Sequence, residues 1–462
     1  HNVVSWSALI SGYVEKDRNH EALKCFKSMR EQGICPSAVT FICTLKACAS
    51  IRDIRKGYQI HEEIVHRGGD VEKDVLLGTA LVNMYAKCGV LTKAQEVHDK
   101  LTVRSEASWN ALISGYVMQG KNHSALKCLE RMQSEGFLPD VVTFICILKA
   151  CSSLGAIEKG KQVHDEITQR GLLEKNIVLG NTLVDMYAKC GELAKAKQVL
   201  EEICVRDVVS WNSLIAGYVQ QGKGYEALNC FEQIRHEGLS PDAISVVYAL
   251  KACASTGAVD KGKEIHADII KAGLLEKDVL YGNALLDMYG KCGVPSKAQE
   301  VFDELMIRDI VSWTALMAGY AQVGKEDMVI NIFNEMVRIG VEPDLVTFTV
   351  VLNACTHSGL VDSGQLCFVS MRLDYGIIPT LEHQTCMVDL FSRAGNIDKA
   401  MAMIMRMPVL DYLPMWISLL GACQRGQSVE LGRLAFEHAV KLDDTYASAY
   451  VSMSNVYASI GM

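Results

Sequence analysis

Two glycine-rich segments of the chain resemble loops that hold nucleotide phosphates. Gly155 to Lys161 and Gly257 to Lys263 each fit most of the pattern G-x-x-x-x-G-K, and they lie 102 residues apart. The residues that follow are Gln162 and Glu264, where a phosphate loop needs a Ser or Thr hydroxyl for magnesium, and no predicted strand precedes either segment. We therefore expect both segments to be turns between helices rather than nucleotide sites.

Three histidines in phase, His61, His164 and His266, raise the question of a zinc site. His61 and His164 are each followed two residues later by Glu, which is half of a nucleotide-deaminase zinc signature, but no C-x-x-C occurs to complete it. No Ser-His-Asp, paired-carboxylate or glycine-loop arrangement stands out either. We predict packing and hydrogen-bonding roles for the histidines, and no catalytic residue, metal or other cofactor within this chain.

The 17 cysteines are also periodic. Several stand in repeated A-C and K-C-G motifs: Cys48, Cys151, Cys253 and Cys355 in the first, and Cys88, Cys190 and Cys292 in the second. Their phasing and odd total predict free thiols in a reducing compartment, packing as small apolar residues between helices.

Bulk composition excludes several classes of protein. The net charge is -8 and the pI is about 5.9, which argues against indiscriminate binding to polyanions but permits a basic stripe on one face. With 49% hydrophobic residues the chain has the composition of an ordered protein, and no apolar run of about 18 residues predicts a membrane span. Because residue 1 already stands inside a repeat, we expect the natural N-terminus and any targeting segment to be missing.

Five tryptophans set the scale of the elements that must position any functional side chain. They are spaced by 103, 102, 102 and 103 residues: Trp6, Trp109, Trp211, Trp313 and Trp416. Such regular spacing of a scarce residue indicates a tandem array, in which each unit contacts only its neighbours. Function is then expected at positions that vary at a fixed place in the repeat, while the large rings pack between helices.

Each period contains three units. In the third period they cover 208–242, 243–278 and 279–309, with lengths of 35, 36 and 31 residues. Within the first of these, apolar residues recur at helical spacing in two stretches, broken by Gly222 and ended by Gly238. Helices this short are not stable alone, so stacking must supply the core. We predict an all-α fold, an α-solenoid superhelix of tandem helix-turn-helix repeats whose first helices line a concave face.

Units of 35, 36 and 31 residues that bear V-V-S-W-N-x-L-I-x-G-Y, L-K-A-C and N-x-L-x-D-M-Y-x-K-C-G resemble the plant pentatricopeptide-repeat proteins of the PLS class. The likeness covers essentially all 462 residues. It implies three triplets, a final altered triplet, and a first extension motif (E1) followed by a truncated second one (E2): 3–105, 106–207, 208–309, 310–412 and 413–462.

Proteins of this kind are organellar site-recognition factors for C-to-U RNA editing. The resemblance implies that the chain binds single-stranded RNA, one base per unit and parallel to the RNA, in a mitochondrion or chloroplast; the lack of a long apolar run separately predicts no membrane partner. It also implies small editing cofactor proteins as partners, and a deaminase supplied in cis or in trans. The alternative is a protein-binding scaffold of the tetratricopeptide kind, whose steady period near 34 fits the alternation less well.

In the family, the fifth and last residues of a unit choose the base. Pairs of Asn with Asp look like uracil readers: Asn110 with Asp140, Asn181 with Asp207, Asn212 with Asp242, and Asn283 with Asp309. Pairs of Thr with Asp look like guanine readers: Thr314 with Asp344, and Thr385 with Asp411 in a less certain register. An Asn amide offers both a donor and an acceptor to a base edge, which suits a pyrimidine.

Other units depart from these pairs. In the first triplet, Ser7 with Ser37 and Thr79 with Ser105 lack the acidic partner, so their bases stay open. Middle units have apolar fifth residues that cannot hydrogen-bond a base: Ile42, Ile145 and Val247. The last middle unit has Thr349, with Thr380 closing it. From the second triplet onward the implied preference is U-x-U-U-x-U-G-x, where x is unread.

Two further sets of repeated residues are predicted to contact RNA. The resemblance implies that aliphatic second residues sandwich the bases: Val178, Val209, Leu280 and Val311. Lysines in the K-C-G motif are candidate phosphate contacts, with ordinary solvated lysines as the alternative: Lys87, Lys189 and Lys291. Asn at the fifth position also has an alternative role as a helix N-cap, but its repeated pairing with Asp favours base reading.

Overall fold

The protein is described by a computed structural model that covers residues 2–68, 71–174, 176–406, 412–426, 428–459 and 461. In these ranges it contains 27 α-helices and no β-strand. The prediction of an all-α repeat fold is confirmed.

The odd-numbered helices are the first helices of the predicted units. Their bounds are α1 Val3–Glu15, α3 Ala38–Ile51, α5 Val75–Lys87, α7 Glu106–Met118, α9 Val141–Leu154, α11 Ile177–Lys189, α13 Val208–Gln220, α15 Ala243–Thr256, α17 Val279–Lys291, α19 Ile310–Gln322, α21 Leu345–Ser358, α23 Leu381–Arg393, α25 Leu413–Gly426 and α27 Ala447–Ser459. Helices α1, α7, α13, α19 and α25 begin where the predicted triplets and the extension region begin, and the division into triplets itself stays a prediction.

The even-numbered helices are the second helices of the units. Their bounds are α2 Asn19–Glu31, α4 Ile54–His66, α6 Leu91–Lys100, α8 Asn122–Ser134, α10 Ile157–Gln169, α12 Leu193–Glu202, α14 Gly224–His236, α16 Val259–Lys271, α18 Pro295–Glu304, α20 Glu326–Arg338, α22 Val361–Leu373, α24 Ile397–Ile404 and α26 Val429–Leu442.

The chain forms two compact units. One comprises His1–Gln221 with Glu232–Ser240, and the other comprises Gly222–Phe231 with Pro241–Met462. Inside each compact unit, consecutive odd-numbered helices pack side by side, and the even-numbered helices pack against the odd-numbered helices before and after them. The side of the odd-numbered row that faces away from the even-numbered helices is called the first-helix face below.

Helix ends follow local chemistry. Asp140 caps the start of α9, where its carboxylate accepts the backbone N–H of Thr143, and Gly155 ends the same helix at a left-handed φ of 65°. Ile157 then begins α10. Gly257 has the same role after α15, with a φ of 68°. The two glycine-rich segments are therefore inter-helix turns, as predicted.

Four of the five tryptophans lie in the core. Trp109 is fully buried and its ring meets His98 edge-on at 4.2 Å, while Trp313 meets Phe302 at 4.7 Å. The other two buried rings are Trp211 and Trp416. Each large ring fills space between helices, which confirms the packing role predicted for them.

The phased histidines join neighbouring units. His61 Nδ1 lies 2.8 Å from the Tyr85 hydroxyl, and His164 has the same partner type, Tyr187, at 2.9 Å. The third pair, His266 with Tyr289, is 3.0 Å apart. Burial lowers the pKa of all three histidines, so they are neutral near pH 7. Their predicted packing and hydrogen-bonding role is confirmed.

All 17 cysteines are free thiols. The K-C-G thiols point at backbone carbonyls of the preceding A-C motifs, with Cys190 Sγ 3.9 Å from Cys151 O and Cys292 Sγ 3.6 Å from Cys253 O. Within the described ranges, no group of three or more His, Cys, Asp or Glu side chains could hold a metal ion. No described helix is long and apolar enough to cross a membrane.

Small residues bring certain first helices very close. A Cβ atom added at Gly217 of α13 would lie 2.7 Å from the Ala188 Cβ of α11. In the following period both positions are glycine, and a Cβ at Gly319 would lie 2.9 Å from the Gly290 Cα. Side chains larger than hydrogen do not fit at Gly217 or Gly319 without a shift of the backbone, so these glycines set the spacing of the helices.

Candidate nucleic-acid interface

A groove lies on the first-helix face of each compact unit. The N-terminal groove has a volume of about 620 Å³, and its lining includes Ile42, Lys46, Thr79, Asn110 and Val142. The C-terminal groove has a volume of about 530 Å³, and its lining includes Val247, Lys251, Asn283, Thr314 and Val346. Corresponding lining residues stand two periods apart in the sequence, so the same surface is built twice. Both grooves contain predicted reading residues.

Asn181 shows how a predicted reading side chain is held. Its Nδ2 donates to Asp207 Oδ1 at 3.1 Å, and its Oδ1 accepts the Ser210 hydroxyl at 2.6 Å. The backbone N–H of Ser210 donates to the same Asp207 oxygen at 2.8 Å. The predicted fifth and last residues therefore meet, together with the third residue of the following helix.

The same three-residue cluster occurs twice more. The amide-to-carboxylate distances are 2.8 and 3.1 Å, and the hydroxyl-to-amide distances are 2.5 and 2.6 Å, in Asn110–Asp140–Thr143 and Asn283–Asp309–Ser312. The clusters in both compact units therefore have nearly identical geometry, although they lie 173 residues apart from Asn110 to Asn283.

The cluster fixes which way the asparagine amide faces. The carboxylate can only accept, so it selects the NH₂ group, while the hydroxyl donates to the amide oxygen. An amide has two N–H donors and two acceptor lone pairs, and each cluster uses one of each. One donor and one acceptor remain on every Asn110, Asn181 and Asn283 side chain for a ligand.

The closing aspartates also begin the next helices. Asp207 caps α13, and Asp309 caps α19. Burial alone would raise the pKa of Asp207, but hydrogen bonds from the Ser210 backbone and hydroxyl and from Asn181 outweigh burial and lower it. Hydrogen bonds from Ser312 and Asn283 lower the pKa of Asp309 in the same way, against the effect of burial. Both carboxylates are thus held ionised, as acceptors for the amide.

Helix capping belongs to the last residue, and the fifth residue does not cap. Asn110, Asn181 and Asn283 stand at the fifth position inside α7, α11 and α17, more than one turn from the capping residue. The alternative that these asparagines serve as N-caps is therefore wrong.

Asn212 and Asp242 belong to different compact units. Asn212 is buried at the fifth position of α13. Asp242 caps α15, where its carboxylate accepts the Ser245 backbone N–H at 2.8 Å. Their joint action on one base stays a prediction.

The threonine pairs differ in their geometry. Thr314 Oγ1 lies 2.9 Å from Thr347 Oγ1, and Thr347 donates its backbone N–H to Asp344 at 2.8 Å. Thr347 therefore connects the predicted pair. Thr385 donates its hydroxyl to the Leu381 carbonyl at 2.8 Å, and its predicted partner Asp411 lies outside the described residues.

In the first triplet the predicted pairs also meet. Ser7 Oγ lies 3.4 Å from Ser37 Oγ and 2.7 Å from Thr40 Oγ1. Thr79 Oγ1 lies 3.3 Å from Ser105 Oγ. These pairs have hydroxyls where the later ones have carboxylates, so either partner can donate.

Sequence reasoning missed the third residue of the following helix. It connects the fifth and last residues in most units that have a polar pair: Thr40, Thr143, Ser210, Ser312 and Thr347. The sequence did contain a pattern that could have identified it. In each of these units a hydroxyl residue stands three positions after the closing residue that caps the helix, which is the spacing of a capping box.

The middle units lack this chemistry at the fifth position. Ile42 and Val247 line the grooves as apolar side chains, and Ile145 occupies the same place in α9. In the last middle unit, Thr349 Oγ1 lies 3.2 Å from His383 Nε2, and His383 Nδ1 accepts the Thr380 hydroxyl at 2.6 Å. This unit is therefore polar where the other three are apolar.

The aliphatic second residues predicted to sandwich the bases are exposed to solvent. Their exposed fractions are 55%, 54%, 42% and 53% for Val178, Val209, Leu280 and Val311. A row of half-exposed aliphatic side chains is unusual for a surface that has no ligand. Leu280 and Val311 both line the C-terminal groove.

The K-C-G lysines lie at the last residues of α5, α11 and α17. Lys189 Nζ is 2.9 Å from Asp185 Oδ2, and Lys291 Nζ is 2.9 Å from Asp287 Oδ2, so both are engaged in pairs four residues apart. Four residues before Lys87 stands Asn83, which is uncharged, where the other two lysines have an aspartate. Phosphate contact by these lysines stays a prediction.

These elements define a class: an all-α helical-repeat protein whose units present a polar side chain, fixed by its neighbour, at a constant place. Sequence models support a narrower assignment. The model of the PPR repeat family matches residues 1–50, 104–153, 206–255 and 308–357, and the PPR repeat model matches 181–208, 283–310, 346–374 and 385–411. The chain belongs to the pentatricopeptide-repeat family.

Curated relatives extend over the whole chain. A pentatricopeptide repeat-containing protein of Arabidopsis thaliana is 36% identical over 100% of this chain and 67% of its own length. A mitochondrial Arabidopsis relative is 34% identical over 100% and 66%, and a chloroplastic one is 35% identical over 100% and 56%. The chain thus spans between about half and two thirds of these relatives.

Solved structures of the maize pentatricopeptide repeat protein PPR10 share the fold. The crystal structure of PPR10 from maize gives a TM-score of 0.64 at 18% identity, covering 99% of this chain and 71% of that one. PPR10 in complex with an 18-nt psaJ RNA element gives a TM-score of 0.56 at 16% identity, covering 99% and 82%.

Proposed function

We propose that the chain binds single-stranded RNA sequence-specifically, one base per unit, with its grooves as part of the binding surface. The observation that carries this proposal is the recurring cluster of Asn181, Asp207 and Ser210, which holds an amide in one orientation with a donor and an acceptor unused. An RNA base is recognised through such groups on its Watson–Crick edge. The RNA complex of PPR10, a protein of the same fold, supports this proposal.

The surroundings of the amide suit a flat base. Val178 lies three residues before Asn181 and Val209 is the second residue of the following first helix, so an aliphatic side chain precedes and follows the amide along the array. Apolar contact on both faces of a base supplies binding energy without choosing its identity. The amide then supplies the choice.

The proposed base preference follows the pairs in chain order. With RNA parallel to the chain, the predicted Asn–Asp pairs of Asn110, Asn181, Asn212 and Asn283 read uracil and Thr314 reads guanine, giving U-x-U-U-x-U-G-x. Thr385 with Asp411 extends the reading with a second guanine. The pairs of the first triplet contact RNA with open base choice.

For the whole protein we propose a PLS-class site-recognition factor for organellar C-to-U editing. The triplet alternation and the extension motifs in 413–462 support this class. The names of relatives place two of them in the mitochondrion and in the chloroplast, which supports an organellar location for this chain. A deaminase acts in cis or in trans, and small editing cofactor proteins assist.

The test uses two short RNAs that differ in four positions. One carries U-x-U-U-x-U-G-x within a uniform flank, and the other has the four predicted uracils replaced by adenine. We expect fluorescence anisotropy to show binding to the first RNA and a loss of at least about a hundredfold for the second, since each mismatched contact costs about 1–3 kcal/mol. Equal affinity for both RNAs, or binding to peptides alone, would contradict the proposal and favour a tetratricopeptide-like scaffold.

A further inference from the structure

The ninth residue of each odd-numbered helix lies one turn beyond the fifth, on the same side of the helix. In the first three middle units this residue is a lysine that follows the apolar fifth residue by four positions: Lys46, Lys149 and Lys251. The neighbouring short units have Asn83, Asp185 and Asp287 at the ninth position. At the ninth position, lysine therefore occurs in the middle units that are predicted not to read a base, and not in the neighbouring short units.

The structure places two of these lysines in the grooves. Lys46 lines the N-terminal groove beside Ile42, and Lys251 lines the C-terminal groove beside Val247. Lys46 is the sole ionisable side chain among the described residues that line its groove. A single positive charge on an otherwise neutral, largely apolar surface attracts an anion without competition from a nearby carboxylate.

Lys251 shares the C-terminal groove with two carboxylates, Asp287 and Asp344. Each carboxylate interacts with a group other than Lys251. Asp287 pairs with Lys291 at 2.9 Å, and Asp344 accepts the Thr347 backbone N–H at 2.8 Å as the cap of α21. Lys251 itself makes no ion pair with any described residue, and its Nζ lies 5.8 Å from the Tyr248 ring. Its charge is therefore unmatched within the groove.

The three lysines share this availability. All are exposed, and none forms an ion pair with a described side chain, whereas the K-C-G lysines Lys189 and Lys291 are each paired with an aspartate four residues earlier. Releasing a paired lysine to a phosphate costs the existing pair, and an unpaired lysine has no such cost. The groove lysines are the better candidates for phosphate binding.

We propose that Lys46, Lys149 and Lys251 bind the RNA backbone phosphates where the strand crosses the three middle units. This rests on the proposed RNA binding and adds a function for units whose fifth residue is aliphatic. A lysine ammonium binds phosphate as a point charge and carries no information on sequence. Middle units thus hold the strand in register while their neighbours read it.

The fourth triplet departs from this arrangement. Its middle unit has Asn353 in place of the lysine and the polar Thr349 in place of the aliphatic fifth residue. The phosphate contacts are accordingly confined to the first three triplets.

The test measures how RNA affinity depends on salt. A Lys46→Gln/Lys149→Gln variant is compared with a Lys24→Gln/Lys127→Gln variant, which loses the same charge from exposed lysines on the even-numbered helices α2 and α8. For a single strand, the slope of log affinity against log salt changes by about 0.7 for each phosphate contact. We expect the first variant to lose about 1.4 from the slope and the second to keep the original slope.

Selectivity for uracil over adenine distinguishes a failure of the lysine–phosphate proposal from a failure of the RNA-reading proposal on which it rests. The groove variant is expected to bind all RNAs more weakly while keeping the original ratio between the uracil and adenine RNAs, and Lys46→Arg/Lys149→Arg is expected to restore the slope. Equal slopes in the two glutamine variants, with uracil selectivity intact, would overturn the lysine proposal alone. Absence of uracil selectivity in the unmodified chain would overturn the RNA-reading proposal instead.

Discussion

At the scale of single residues, the proposed recognition depends on side chains that hold one another. Asn181 has an amide orientation set on one side by a carboxylate and on the other by a hydroxyl, at 3.1 and 2.6 Å. An amide free to rotate would present donor and acceptor interchangeably, and it would lose entropy on binding. A fixed amide discriminates between base edges because the wrong edge leaves polar groups unpaired.

A serine at residue 181 tests this directly. The Asn181→Ser variant is expected to lose its preference for uracil at the third position of U-x-U-U-x-U-G-x, by roughly tenfold or about 1.4 kcal/mol, because the shorter side chain lacks the amide donor–acceptor pair. Anisotropy titrations with RNAs changed at one position at a time measure the preference. Preferences at the positions of Asn110 and Asn283 are the internal control. An equal loss at those positions would instead indicate a folding defect.

At the scale of elements, glycine decides how closely first helices approach. Gly217 faces Ala188, whereas Gly319 faces Gly290, so the helix contact between the third and fourth predicted triplets has one methyl group less than the contact between the second and third. The short and first-type units meet at these contacts, and both carry predicted reading residues. Under the proposed function, helix spacing there sets the distance between consecutive reading positions.

Two matched alanine variants distinguish a tight contact from a tolerant one. Gly217→Ala places two methyl carbons 2.7 Å apart and is expected to cost about 1–3 kcal/mol through overpacking. Gly290→Ala places one methyl carbon 2.9 Å from the Gly319 Cα and recreates the Ala188–Gly217 combination that the preceding period already accommodates. It is expected to cost about 1 kcal/mol less than Gly217→Ala, because its methyl group meets a Cα rather than a second methyl group, while the helix-propensity gain of alanine is the same for both variants. Urea unfolding followed by circular dichroism measures both, and equal destabilisation would contradict the role assigned to the contact.

At the scale of the whole molecule, burial rather than disulfide bonding accounts for the cysteines. Cys35 and Cys204 are exposed, while Cys48, Cys151 and Cys253 are buried in the array. Burial raises the pKa of the Cys48 thiol to about 12 and that of Cys151 to about 11. Thiolate is the reactive form, so these residues are protonated and inert near pH 8.

Thiol titration measures this difference. With Ellman's reagent at pH 8, we expect two thiols, Cys35 and Cys204, to react in the fast phase of the folded chain, and all 17 to react after unfolding without reductant. Cys35→Ser/Cys204→Ser is expected to remove the fast phase and leave the helical content unchanged. Fewer than 17 reactive thiols in the unfolded chain would reveal disulfides.

The sequence was sufficient to predict the all-α repeat fold but not every contact within it. Glycine turns and helical apolar spacing determine where helices end, because both act locally, and Gly155 and Gly257 are examples. The bridging role of Ser210 depends on the position of the preceding first helix, which only the fold supplies. Likewise, Lys189 and Lys251 are both lysines on first helices, and the ion pair of Lys189 with Asp185 is what makes Lys189 the less available of the two for a phosphate.

The double duty of the closing residue limits how such a protein can change its target. That residue starts a helix and, under the proposed function, also helps to specify a base; in the units with a polar fifth residue it is Ser37, Ser105, Asp140, Asp207, Asp242, Asp309, Asp344 or Thr380 where the structure describes it. All belong to the small group of side chains that cap helices well. Evolution toward a new transcript can therefore draw only on this restricted alphabet at one of the two specifying positions, and the same restriction applies to anyone who rewrites the array.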